Sequence, residues 1–350
     1  MKSIGPIIDK TEAFIISEIF NLSEISIVYI GKDDREIINI YKKLSWLLPK
    51  QKILLYKAWD QIPYDNISPS KEVQTSRLET LYYLNNNRKE KKIILTTINA
   101  IIQKIIPKEE LKRNFINISI NSKIEINKLL SILIKLGYER TSIVRDKSEF
   151  ALRGSIIDIF LPELNKPIRI DLFDNDIESI FEFDPITQKR TIVSSLKYFK
   201  INACTELIID SGNLEKFRAR FRETFEDYRS SNVYHLFSEG ITPSGGEQYI
   251  PLFYNKLDTL FDYFHKSKLL AHNDILNLFE ERVENLNDYY KARIESNDKF
   301  YLDPNILYLN KTYFEKSINN FEIIKLSPFY NEDFISSNIE KINNLSSIRK

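Results

Sequence analysis

The chain has 350 residues, 43% of them hydrophobic and 28% charged, with 50 basic against 49 acidic side chains; at about 100–200 residues per domain, this predicts two or three globular domains and excludes wholesale disorder. The charges nearly cancel, which excludes a global field for nucleic acid or an anionic membrane, so any basic partner site must be local. One cysteine, Cys204, and three histidines, His235, His265 and His272, permit no internal disulfide and argue against structural zinc, so a cytoplasmic location is expected.

The N-terminal stretch MKSIGPIIDKTEAFIISEIF is apolar but interrupted by Asp9, Lys10, Glu12 and Glu18, so it is neither a signal core nor a membrane span. Between residues 25 and 106, ISIVYI, KILLY and KIILTT are strand-length apolar runs separated by helical patterns. That rhythm predicts βαβ units and a parallel sheet. The first helix is expected from Asp33 to Leu48, with Ile37, Ile38, Tyr41, Leu44 and Leu48 on its apolar stripe, Asp33 as N-cap and Pro49 as stop. A second, Lys71 to Leu84, uses Val73, Leu78, Leu81 and Tyr82. The loop before it, AWDQIPYDNISPS, holds Trp59 and Tyr64, and NNNRKEKK after it reads as a solvated loop.

A parallel sheet invites a search for a phosphate-binding loop, and two near misses occur. GPIIDKT offers Gly5, Lys10 and Thr11 but lacks the second glycine, is a residue short, loses an amide donor at Pro6 and adds the repelling Asp9. YIGKDD offers Gly31 and Lys32, but Asp33 and Asp34 stand at the helix N-terminus where an anion would sit.

After residue 114 the period shortens. FINISI, a helix from Ile126 to Leu136 closed by Gly137, and the runs TSIVRD, EFALR, SIIDIF, PIRIDLF, IESIFEF and TIVSSL predict an antiparallel meander with covering helices. PELNK, DND and DPITQK supply its turns. FDNDIE spaces Asp174, Asp176 and Glu178 like the front of a calcium loop, but Pro185 stands where the closing glutamate is needed, so a polar hairpin turn is expected. In PIRIDLF the period of two puts Ile168, Ile170 and Leu172 on one face and Arg169, Asp171 and Phe173 on the other. Arg169 and Phe173, with Arg153 on a nearby strand, form the kind of patch that partner interfaces favour. The plainer alternative is that Phe173 covers a small second core while the arginines pair with Asp158 and Asp171.

From about Thr205 the pattern is mixed again. TELIID reads as a strand, and Leu214, Phe217, Phe221 and Phe225 form a helical stripe. KFRARFRETFEDYR reads as a solvated helix laced with salt bridges, with Arg218 and Arg222 flanking that stripe while Lys216 and Arg220 point elsewhere. GITPSGGEQYIPLF carries three glycines, Gly240, Gly245 and Gly246, without a following lysine, so it is a shaped loop and not a phosphate cradle.

Taken in order, WDQIPYDNISPSKEVQTSRLETLYYL, then EFALRGSIIDIFLPELNKPIRIDLFDNDIESIFEFDPITQKR, FRETFEDY and GITPSGGEQYIPLFY resemble the N-terminal module of the transcription-repair coupling factors, from about Trp59 to Phe264. The central stretch is also similar to the UvrA-binding domain of the excision-repair helicase UvrB. The resemblance implies an α/β fold: a degenerate helicase-like parallel-sheet lobe in two segments, 1–113 and 204–350, with a β-rich antiparallel domain, 114–203, inserted between them. It implies docking to UvrA through Arg153, Arg169 and Phe173, without catalysis, cofactor, metal or membrane. UvrB's intact phosphate loop and long Tyr-rich hairpin have no counterpart here, so ATP hydrolysis and damage clamping are not expected of this chain. Its end at NNLSSIRK suggests a piece of a longer protein, whose ATP-dependent translocase and contacts to RNA polymerase and DNA would lie beyond residue 350. Alternatives are a nucleotide-dependent helicase lobe and a nucleic-acid module built on the Arg/Lys helix after Asn213; the docking reading expects negligible duplex DNA binding.

Overall fold

The computed structural model describes residues 2–5, 7, 11–296, 300–328 and 335–336. Its strands are β1 (Lys2–Gly5), β2 (Ser26–Gly31), β3 (Ile53–Tyr56), β4 (Ile93–Thr97), β5 (Phe115–Ser119), β6 (Glu139–Arg140), β7 (Glu149–Arg153), β8 (Ile156–Ile159), β9 (Ile168–Phe173), β10 (Asp176–Phe183), β11 (Arg190–Ser195), β12 (Tyr198–Asn202), β13 (Ser267–His272), β14 (Glu322–Leu326) and β15 (Ile335–Ser336). The first long helices are α1 (Glu12–Leu22), α2 (Asp34–Leu47) and α3 (Lys71–Asn86).

Two chain segments build one parallel sheet. Its order is β15-β1-β14-β13-β2-β4-β3, so strands from before and after the β-rich region pair with one another in it. A core containing Ile16, Phe20, Ile37, Ile40 and Leu44 fills the face under α1 and α2. The opposite face is covered by α3 and by the helices Ile275–Glu295 and Lys311–Asn319, through Leu78, Leu81, Phe279 and Phe314. In α2, Asp33 caps the helix by accepting the Glu36 N–H, and Ile37, Ile40 and Leu44 are buried. Tyr41, expected on this stripe, is exposed instead; Ile40 takes the inner position because the sheet meets the helix slightly to one side of the predicted stripe.

The inserted region holds a six-stranded sheet, order β11-β10-β9-β8-β7-β6. Its inner face, with Ile157, Ile159, Ile168, Ile170, Leu172 and Ile180, packs with Leu129 and Leu133 of the helix Ile126–Lys135. The chain enters and leaves beside itself: β5 pairs antiparallel with β12, Phe115 opposite Asn202 and Ser119 opposite Tyr198. That neck lets an insert interrupt the lobe without parting its two halves.

Two expected strands are not strands. TSIVRD turns away because the backbone N–H groups of Arg145 and Asp146 bond to the Glu149 carboxylate (2.7 and 2.9 Å), and the short β6 pairs with β7 in its place. In TELIID, side chains satisfy the backbone: Ile208 N–H donates to Tyr254 Oη (2.9 Å) and the Asn213 amide donates to Ile208 O (3.2 Å). Strands β12, β13 and β14 were not anticipated.

Gly137, which ends the helix before β6, has φ +89°, and a Cβ there would meet Thr205 Cβ and Cγ2 at 2.7 Å. Backbone strain at a left-handed non-glycine residue costs about 1–3 kcal/mol. Gly137→Ala is therefore expected to lose at least that much in urea unfolding; an unchanged midpoint would show that the Thr205 side of the neck yields.

Candidate functional site

The face of the inserted sheet that points away from its core gathers the residues singled out above. Asp158, on β8, is fully buried and lies opposite Arg169 of β9 in register. Arg169 grips it with two bonds, Nε to Oδ1 (2.6 Å) and Nη2 to Oδ2 (2.9 Å). Arg153, at the end of β7, adds Nη2 to Oδ2 (2.5 Å). One carboxylate thus holds two guanidinium groups, each by charge-assisted bonds of the short kind. The bond to Asp158, more than any other cause, holds the Arg169 pKa above the ordinary arginine value against the opposing effect of burial.

Gln188 closes the arrangement. Its backbone sits at φ +61° in the turn after β10, its Oε1 lies 3.4 Å from Nη2 of both arginines, and its carbonyl accepts Arg169 Nη1 (3.3 Å). The side-chain amide of Gln188 in turn donates to Val144 O (3.1 Å) and Pro185 O (2.7 Å), locking the turn onto the sheet. Arg169 also lies over the Phe183 ring at 4.4 Å, and Arg190 over Phe181 at the same distance, a cation–π geometry.

The arginines do pair with Asp158, as the plainer alternative expected. Asp171 does not join them; it accepts from Ser179 Oγ at 2.8 Å. Nor does Phe173 cover a core: it is 69% exposed, while the small outer cluster is Val144, Ala151, Phe160 and Phe183. The turn after it is a polar hairpin, with Phe173 opposite Asp176 and Asp174 at φ +54°. Arg153 is 39% exposed and Arg169 13%, so this face of the sheet offers a free aromatic ring, one partly free guanidinium and one largely committed to holding the sheet. Sequence reasoning missed Gln188, whose role depends on its left-handed turn conformation.

The parallel sheet has its own candidate site. The chain leaves β2 toward β4 and β3 but leaves β13 toward β14, so the topological switch point, where such folds bind nucleotides, lies outside Gly31 and His272. A cleft of about 580 Å³ opens there, lined by Tyr29, Lys32, Glu36 and His272 among others. Carboxylates fill its helix end: Glu36 Oε2 accepts the Lys32 backbone N–H (2.8 Å), Tyr29 Oη donates to Glu36 Oε1, and Asp33 Oδ1 takes the Glu36 N–H (2.8 Å). A phosphate would meet two negative charges on the donors it needs. The other phosphate-loop near miss falls on residues 6 and 8–10, outside the described residues.

The basic helix is also not the expected lattice of salt bridges. Arg220 donates to the carbonyls of Pro251, Leu252 and Tyr254 and to Asn255 Oδ1, and Arg218 donates to Ser238 O (2.5 Å). These cations hold loops of the lobe together. Among the described residues no helix is long and apolar enough to cross a membrane.

Residues 116–206 match the UvrB interaction domain family. Along most of its length the chain is similar to proteins named transcription-repair-coupling factor. That of Haemophilus influenzae is 31% identical over 88% of this chain and 27% of the relative. That of Rickettsia bellii is 30% identical over 84% and 27%, and that of Escherichia coli 27% identical over 80% and 24%. The chain therefore spans about a quarter of the length of these relatives.

Proposed function

The chain belongs to the transcription-repair-coupling factor family, and from that premise we propose that it is a docking platform for UvrA, using the outer face of the inserted sheet and performing no catalysis itself. Residues 114–203 are the docking module, and 1–113 with 204–350 form the lobe that carries it. Phe173, Arg153 and Arg169 make the contact. In the whole protein this platform would bring UvrA to a stalled RNA polymerase for DNA repair, with the ATP-driven motor and the contacts to polymerase and DNA in other parts of the protein.

The observation that carries the reading is Phe173, a large apolar side chain 69% exposed on the same face of the sheet as the Arg153–Asp158–Arg169 cluster. An aromatic anchor next to arginine is the composition of interface hot spots. The carboxylates at the switch point speak for docking over nucleotide use, since they occupy the anion position of the lobe.

Calorimetric titration of the chain with UvrA tests it. Phe173→Ala is expected to weaken binding at least tenfold, about 1.4 kcal/mol, with the urea midpoint unchanged because the ring packs against no core. Equal affinity of the two proteins would remove Phe173 from the contact, and no binding by either at low salt would sink the docking reading.

A further inference from the structure

The charges of the chain nearly cancel overall, but not locally. Strands β2, β4 and β3 begin in line, Ile27 beside Ile93 and Ile93 beside Ile53, so the loops that precede them emerge at one edge of the lobe. The loops before β3 and β4 bring Lys50, Lys52, Arg88, Lys89 and Lys91 to that edge, with Lys92 buried beneath them; Glu24 and Glu90 are the acids of the edge loops, and Arg88 also lines a pocket with Asp262. The Lys92 and Lys52 carbonyls are tied into the strand ends, accepting from Ile27 N–H and Ile93 N–H (both 3.0 Å), so the backbone of both loops is fixed there.

Three of the cations lie over aromatic rings. Lys52 sits 4.5 Å and Lys92 5.3 Å from the Tyr83 ring, and Lys91 sits 4.1 Å from that of Phe20. The Glu90 carboxylate, the acid closest in sequence, accepts a hydrogen bond from the Tyr83 hydroxyl. Lys50, Lys52, Arg88 and Lys89 are exposed to solvent.

We propose that this edge is an auxiliary surface for the phosphodiester backbone of nucleic acid, distinct from the UvrA face on the insert. Phosphate fits the lysine-rich charge of the edge, and competition by polyglutamate separates it from an acidic protein. The Lys92 ammonium is buried and donates to Asn87 O; of the five cations left at the surface four are lysines, which contact phosphate as point charges. The Tyr83 and Phe20 rings are capped by ammonium groups, while Trp46 near the end of α2, 78% exposed, stands free beside the loop of Lys50 and Lys52. Three strands spaced by about 4.8 Å, extended by the lysine side chains, reach on the order of four phosphates. Contact with about four phosphates gives log K a slope near −3 to −4 against log salt. On this proposal duplex binding is negligible only at high salt.

The test is fluorescence anisotropy of a labelled random-sequence duplex with the purified chain, from low to physiological salt. Binding with that slope is expected. Lys50→Glu, Lys52→Glu and Lys89→Glu together should weaken it at least tenfold and flatten the slope, with far-UV circular dichroism unchanged. Lys216→Glu with Arg222→Glu, on the helix Ser211–Thr224, should leave it as it was. Absence of binding at the lowest salt overturns the proposal. So does equal binding by the triple variant, or displacement by polyglutamate as effective as by unlabelled duplex of equal charge.

Discussion

Glu206→Gln is expected to lower the unfolding free energy by about 3–5 kcal/mol, the cost typical of removing one partner from a buried ion pair. Arg77, on α3, is fully buried and Glu206 2% exposed, with Nε to Oε1 at 2.6 Å. Arg77 Nη1 donates to Lys57 O (2.8 Å), and the guanidinium lies 4.5 Å from the Tyr56 ring and 5.6 Å from that of Trp59. Burial opposes its charge, but Glu206 outweighs that and holds the Arg77 pKa above the ordinary value. Glutamine keeps the shape and removes the charge, so the loss measures an uncompensated cation and not a cavity. Replacing both partners, Arg77→Met with Glu206→Leu, is expected to recover much of it, because apolar isosteres of a buried pair are often neutral. Urea unfolding of the parent and these two variants decides the matter; a loss below about 1 kcal/mol in Glu206→Gln would show that water reaches the site. The position gives the pair its importance. Glu206 follows β12 directly after the insert, and Tyr82 Oη also donates to Ala203 O (3.0 Å). The pair therefore clamps the exit of the insert onto α3, and its loss should loosen the insert from the lobe as well as destabilise the fold.

The features legible in the sequence were those encoded by neighbours in the chain. β2, β3 and β4 are apolar runs flanked by amphipathic helices, and the Asp33 cap and the Gly137 stop each act within a few residues. β12 was not legible because its partner β5 lies some 80 residues earlier, and β13 and β14 because their apolar runs, Leu269 to Ala271 and Ile323 to Ile324, are too short to signal a strand. TELIID failed for the opposite reason: its pattern is strand-like, but Tyr254 and Asn213 take its backbone groups from outside. At the outer face of the insert, the period of two put Arg169 and Phe173 on one side of β9 and suggested Asp158 as a partner of the arginines. It could not reveal that Asp158 serves both arginines at once, or that Gln188 completes the set across a turn.

Asp158→Ala is expected to cost about 2–3 kcal/mol in stability and, on the docking proposal, at least tenfold in affinity for UvrA. The carboxylate is fully buried and accepts three bonds, one from Arg153 and two from Arg169; bonds to charged groups contribute about 1.5–3 kcal/mol each at most. The arginines can recover part of that loss by turning toward solvent, more easily for Arg153, 39% exposed, than for Arg169, 13% exposed. Affinity should fall for a different reason. With Asp158 present, both forks are fixed before a partner arrives, and their ordering cost falls on folding and not on binding. Freed arginines would have to be ordered by UvrA itself. Phe173→Ala and Asp158→Ala should therefore separate: the first weakens binding alone, the second weakens binding and lowers the urea midpoint. If Asp158→Ala destabilises the chain yet binds UvrA as tightly as the parent under conditions where it remains folded, the arginine pair serves the sheet and Phe173 must carry the contact without it.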